Sequence, residues 1–233
     1  MSRSAQVVLY TAALTLGLVA LSVVSKGQEV STDSQGRGVV TAPPISASPS
    51  VNSGNSGPTI PEGTVTMYSN FGSGNSYDCC DGWLVSGSAS GVLPYVYLEA
   101  MAFTPTKDTY RLTQLDVAIG WGGGSNGYKL ELPRDGDGQP GGRIAEWEVL
   151  GLPTFAATSS AVQTIKVRGL IILEKGRQYW LVPVPHSDEW VSWNWNSVGV
   201  TGNGAYSIDG GAIWQSLEYS PNGAFDVLGQ KLF

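Results

Sequence analysis

Trp190, Trp193 and Trp195, interleaved with Asn194 and Asn196 and preceded by Asp188 and Glu189, form the densest group of aromatic and amide side chains in this sequence. Strand alternation puts Trp193 and Trp195 on one face. On an exposed face, indole rings stack against sugar rings while amides and carboxylates bond the hydroxyls. The run is therefore the candidate contact surface for a carbohydrate, with Trp190, Trp193, Asn194, Trp195, Asn196 and Asp188 as its members. On a buried face the same residues are packing, the commoner fate of bulky aromatics at strand period.

Hydrolytic chemistry has thinner support. His186 is the only histidine, and no Ser or Cys stands in a G-x-S-x-G elbow, so no nucleophilic triad is expected. A glycosidase needs two carboxyl groups flanking one bond. Glu99, Glu146, Glu148, Asp116 and Asp188 are available for that, but the sequence brings no two of them together.

Two further motifs read as turn chemistry. Ser207-Ile208-Asp209-Gly210-Gly211-Ala212-Ile213-Trp214 matches the S-x-D-x-G-x-x-W pattern of an Asp box, in which the Asp caps turn amides and the Trp packs beneath. It occurs once, and too few arginines are present to build a sialidase site around it. Asp135-Gly136-Asp137-Gly138 contains the D-x-D-G fragment of calcium loops, but the distal bidentate Glu is missing. The turn reading is preferred to calcium, and no other metal or cofactor is expected. Cys79 and Cys80 are adjacent, so they cannot staple distant strands; they close a vicinal disulfide, stay reduced, or pair with another chain.

The elements that position these groups are strands. Gly is abundant at 31 residues and charged residues are only 14%, which suits short strands joined by tight turns. Tyr95 to Phe103 alternates, and Arg111 to Trp121 places Leu115, Val117 and Ile119 on one face. Further strands are expected at Tyr128–Leu132, Ile144–Leu150, Val162–Val167, Gly169–Leu173, Tyr179–Val184, Val191–Trp195, Ala205–Ile208, Ala212–Gln215 and Ala224–Leu228. The expected fold is an all-β antiparallel sandwich, jelly-roll-like. A net charge of -6 with no basic run argues against nucleic acid and against anionic membranes as partners.

The N-terminal part reads differently. Arg3 precedes Val7 to Val24, an uncharged apolar stretch, so residues 1–25 are expected to be a signal peptide or an N-terminal signal anchor. Residues 26–60 are rich in Ser, Gly and Pro and are expected to be a disordered linker, leaving 61–233 as the β-sandwich domain. The expected location is extracytoplasmic, secreted or at the cell surface, with membrane contact only through an uncleaved N-terminal segment.

Several segments together resemble the R type of the choice-of-anchor domains of bacterial exported proteins, a family associated with PEP-CTERM sorting. They are Tyr68-Ser69-Asn70-Phe71-Gly72, Gly82-Trp83-Leu84-Val85-Ser86-Gly87, Ala102-Phe103-Thr104-Pro105, Leu115 to Gly120, Gly138-Gln139-Pro140-Gly141, Gly176-Arg177-Gln178-Tyr179-Trp180 and Ser207 to Trp214. The resemblance implies an exported domain and carries no catalytic residues over. The chain ends at Gly229-Gln230-Lys231-Leu232-Phe233 without a hydrophobic helix or sortase motif, so any anchor is expected at the N-terminus. The leading expectation is a non-catalytic module that binds a glycan or matrix polymer. A structural protein that packs against copies of itself is the alternative, and a glycoside hydrolase comes third.

Overall fold

The computed structural model describes residues 28–42, 62–156 and 161–232. Among these residues there are strands and turns and no helix. The chain begins with β1 (Glu29–Thr32) and β2 (Gly38–Thr41), then β3 (Thr64–Ser69), β4 (Tyr77–Ser86), β5 (Leu98–Phe103) and the long β6 (Tyr110–Gly123). It continues through β7 (Gly127–Asp135), β8 (Pro140–Leu150), β9 (Val162–Lys166), β10 (Ile172–Leu173) and β11 (Tyr179–Pro185). The last four strands are β12 (Trp190–Asn196), β13 (Gly204–Ser207), β14 (Gln215–Leu217) and β15 (Phe225–Lys231).

The strands form two antiparallel sheets. The larger runs β1-β2-β4-β12-β6-β15-β3, and the smaller runs β14-β13-β5-β11-β7-β8. In the larger sheet β6 carries β15 on one side along 110–117 and β9 on the other along 114–118, so β9 and β10 make a separate edge. Apolar residues at strand period face inward from both sheets. Leu115, Val117, Ile119, Val191, Trp193 and Phe225 meet Met101, Phe103, Tyr128, Leu130 and Leu181 in one dry cluster. The all-β antiparallel sandwich expected from the sequence is the architecture formed, with more strands than the eight of a simple jelly roll.

The segment 26–60, read from composition as a disordered linker, contains part of the fold, and that boundary is corrected. β1 and β2 form a hairpin whose Val39, Val40 and Thr41 pair with Trp83, Gly82 and Asp81 of β4. Val30, Val40 and Ala42 bury against Leu84, Tyr97, Phe155 and Trp190, a second apolar cluster on the far face of the larger sheet. Local chemistry closes the turn. Asp33 accepts the backbone N–H groups of Gln35 and Arg37, its carboxylate pairs with the Arg37 guanidinium, and those contacts hold its pKa below the ordinary value although burial pulls the other way. Gly38 is required where the hairpin crosses Leu84, because a Cβ there would stand 2.9 Å from that side chain. The expected leader and the rest of the expected linker lie outside the described residues.

Candidate functional site

The Trp190 to Asn196 run is the central strand β12, paired to β4 on one side and β6 on the other. Trp193 is fully buried, donates its indole N–H to the carbonyl of Ala224 at 3.1 Å, and lies 5.9 Å from the ring of Phe225. Trp190 is 3% exposed and packs in the hairpin cluster, over Gly122 and Gly123. Trp195 is half-buried, 5.3 Å from Trp83. The two amides serve the backbone: Asn194 donates to the carbonyl of Asp78, while Asn196 donates to Val200 and Asn222 and accepts from the N–H groups of Val198 and Val200. Asp188 is exposed and caps Ser125. Of the six expected contact residues, Trp190, Trp193, Asn194 and Asn196 are therefore buried in a strand covered on both faces, while Trp195 is partly exposed and Asp188 exposed.

The turn motifs do what their chemistry suggests. Asp209 accepts from the N–H of Ile213 and the hydroxyl of Ser207, which together keep its pKa below the ordinary value, and Ser207 accepts from the N–H of Gly211. Trp214 packs toward Trp180, Val182 and Ala205 on the outer face of the smaller sheet. Asp135 accepts from Gln178, from the Trp180 indole and from the N–H of Gly138, so its oxygens are engaged by its own turn and by the start of β11. Cys79 and Cys80 are joined as a vicinal disulfide at the start of β4, where Asp78 accepts from the N–H groups of Cys80 and Asp81.

Of the five carboxylates available for hydrolysis, three are engaged elsewhere. Glu99 is fully buried and accepts from Tyr97, and burial pushes its pKa well up. Asp116 accepts from Gln114 and Thr164, and Asp188 is on its turn. Glu146 and Glu148 alone among them reach a concave surface.

That surface is a cleft of about 580 Å³ between β8 and β9, the edge strands of the two sheets on the same side of the sandwich. Its walls are Glu146, Trp147, Glu148, Val149 and Leu150 from β8 and Gln163, Thr164, Ile165 and Lys166 from β9. Alternation builds the β8 wall: Trp147 is opposite Leu130 and leans half-buried against the core, while Glu146 and Glu148 project outward on either side of it. The β9 wall is fixed by side-chain bonds beneath it. Lys166 bonds Gln114, and Thr164 donates to Asp116 at 2.6 Å.

Both carboxylates are engaged by basic side chains. Arg143 pairs with Glu146 at 2.6 Å and also with Glu131. Glu148 meets His186 Nε2 at 3.0 Å, and His186 Nδ1 in turn lies 3.3 Å from Glu189. Glu189 is fully buried behind the histidine and takes the N–H of Gly127 at 2.6 Å. Burial raises its pKa to about 7 against the Gly127 and His186 contacts that favour the charge. Tyr128 lies buried nearby with no partner for its hydroxyl among the described residues, and burial followed by the Glu189 charge pushes its pKa up. The sequence reading passed over Trp147, Gln163, Thr164 and Lys166. The one signal for them was a Trp alternating between two Glu on a strand.

The fold and the cleft define an antiparallel β-sandwich with a polar, aromatic-floored groove at its open side. No protein family, no characterised protein and no solved structure was found to match the chain.

Proposed function

We propose that the chain is a non-catalytic module that holds a carbohydrate chain in the β8–β9 cleft. The observation that carries this reading is the cleft itself. A half-exposed indole, two carboxylates, an amide, a hydroxyl and an ammonium line about 580 Å³, the size and mixture that suit a sugar of a few rings. The cleft is open to solvent, which suits a polymer better than a small enclosed ligand. Neither Glu146 nor Glu148 stands as a free proton donor, since each is engaged by Arg143 or His186, and this favours binding over hydrolysis.

Self-assembly through the same edges is less well supported, because charged Arg143, Glu146 and Glu148 on β8 are the side chains that block edge-to-edge pairing. The apolar N-terminal stretch and the resemblance to exported choice-of-anchor domains support placing this module outside the cytoplasm.

The test is affinity electrophoresis of the full chain and of Trp147→Ala and Gln163→Ala through gels containing a panel of polysaccharides. At least one polymer should retard the chain, and each variant should bind it about tenfold more weakly, the loss expected for one stacking or hydrogen-bonding group. Gln163 is partly exposed and its amide bonds only the nearby Ala161 carbonyl, so its variant separates binding from stability better than Trp147→Ala does. No retardation by any polymer, or retardation unchanged in both variants, refutes the proposal.

A further inference from the structure

The fold assembles a basic patch that no run of sequence contains. Six of the eleven Lys and Arg among the described residues, Lys107, Arg111, Arg168, Lys175, Arg177 and Lys231, are exposed at one end of the sandwich. Four segments meet there. β10 and β15 flank the start of β6, with Ile172 opposite Arg111 and Lys231 opposite Tyr110. The loop before β6 is tied to the turn before β11 by bonds from the N–H of Gly176 to the Pro105 carbonyl and from the N–H of Lys175 to the Thr109 hydroxyl. Five acidic residues lie at this end: Asp108 pairs with Lys231 at 3.1 Å, Glu174 pairs with Arg177 at 2.9 Å, Glu62 sits at the margin, where its carbonyl accepts from Gln230, and Asp135, which accepts from Gln178, and Asp137 stand on the β7–β8 turn with a seventh exposed cation, Arg134. The end is therefore positive in a chain whose net charge is -6.

Apolar side chains stand among these cations. Leu170 is 70% exposed, and Ile172 and Val65 are each 45% exposed. Arg111 donates to the carbonyl of Gly169 at 3.2 Å, and Gly169 takes a φ of +93°, so the turn that presents Leu170 is braced.

We propose that this end docks on the surface of an anionic lipid bilayer. Negative headgroups match the cations, and the boundary between headgroups and acyl chains takes Leu170 and Ile172 out of water. A soluble acidic polymer satisfies the charges alone and leaves both apolar side chains solvated, which is why the bilayer is the better occupant. The site is separate from the β8–β9 cleft and does not depend on its ligand. It also revises the expectation that the low isoelectric point excludes anionic membranes, since local charge decides docking.

The test is co-sedimentation of the full chain with phosphatidylcholine vesicles, with and without phosphatidylglycerol. Wild type and variants carry the same N-terminal stretch, so its contribution cancels when their preferences are compared. The chain should prefer the anionic vesicles, and the exposed triple variant Lys107→Ala/Arg168→Ala/Lys175→Ala should lose about a hundredfold of that preference, near fivefold per charge. Leu170→Ser should weaken binding to the anionic vesicles at unchanged charge. Equal binding to both vesicle types, or a triple variant with the full preference, overturns the proposal. Tighter binding to soluble dextran sulfate than to the vesicles, unaffected by Leu170→Ser, overturns it in favour of an acidic polymer.

Discussion

Replacing Glu189 with glutamine should flatten the pH dependence of stability. In the folded chain the Glu189 carboxyl is buried and its pKa lies at about 7, against an ordinary value of 4.5. Between those two values the folded protein keeps a proton that the unfolded chain has released, so the folded state is favoured below the lower value and loses ground as pH rises through the upper one. At about 1.4 kcal/mol for each tenfold change in proton affinity, the full loss by about pH 8 is at most about 3 kcal/mol. Glutamine has no charge to desolvate. It can accept the Gly127 N–H through its oxygen, as Glu189 does at 2.6 Å, and turn its amide toward His186 Nδ1. Urea unfolding followed by tryptophan fluorescence at about pH 5 and about pH 8 should show the wild type losing about 1–3 kcal/mol more than Glu189→Gln across that interval. Asp226, raised to about 6, and Glu99, pushed well up by its burial, add slope of the same sign to both proteins and cancel in the comparison. If both lose the same amount, Glu189 is not the group that carries the proton, and the account of its burial is wrong.

Trp193→Ala should cost about 3–5 kcal/mol in the same unfolding assay, the usual loss for a fully buried indole; a value below about 1 kcal/mol would mean that the central strand is not packed as described. Reducing the Cys79–Cys80 disulfide, or replacing both residues with serine, should lower stability by only about 1 kcal/mol, because a bridge between neighbours removes little freedom from the unfolded chain. The corresponding fall in Tm is about 2–4 °C by calorimetry, and a much larger one would mean that the bridge supports more than its own turn.

Much of the fold was legible because period-2 patterns need only local information. Leu115, Val117 and Ile119 fall on one face of β6, and every strand expected between Tyr95 and Leu228 overlaps an observed one, although Ala212 to Gln215 is mostly the Asp-box turn and β14 starts at its last residue. β1 and β2 escaped notice because four-residue strands flanked by Ser, Thr and Gly carry the composition of a tether, and only docking against Leu84 and Trp190 distinguishes them. The tryptophans of β12 misled for a complementary reason. Alternation says that Trp193 and Trp195 share a face, but what covers that face is decided by Phe225 and the opposite sheet. The cleft was hidden because its walls, 146–150 and 163–166, become neighbours only when the sheets stack, and the basic end was hidden because four segments supply it.

The N-terminal hairpin has a consequence for how the chain acquires its structure. Arg37 bonds Ser220, 183 residues further along, and Gln28 reaches the carbonyl of Phe155 across 127 residues. The hairpin of β1 and β2 thus takes side-chain partners that lie far along the chain. Contacts of such long sequence separation make folding slow. While the hairpin is undocked, β4 presents an unpaired edge to every other copy nearby, so docking of β2 is what protects the folding chain from aggregation along that edge.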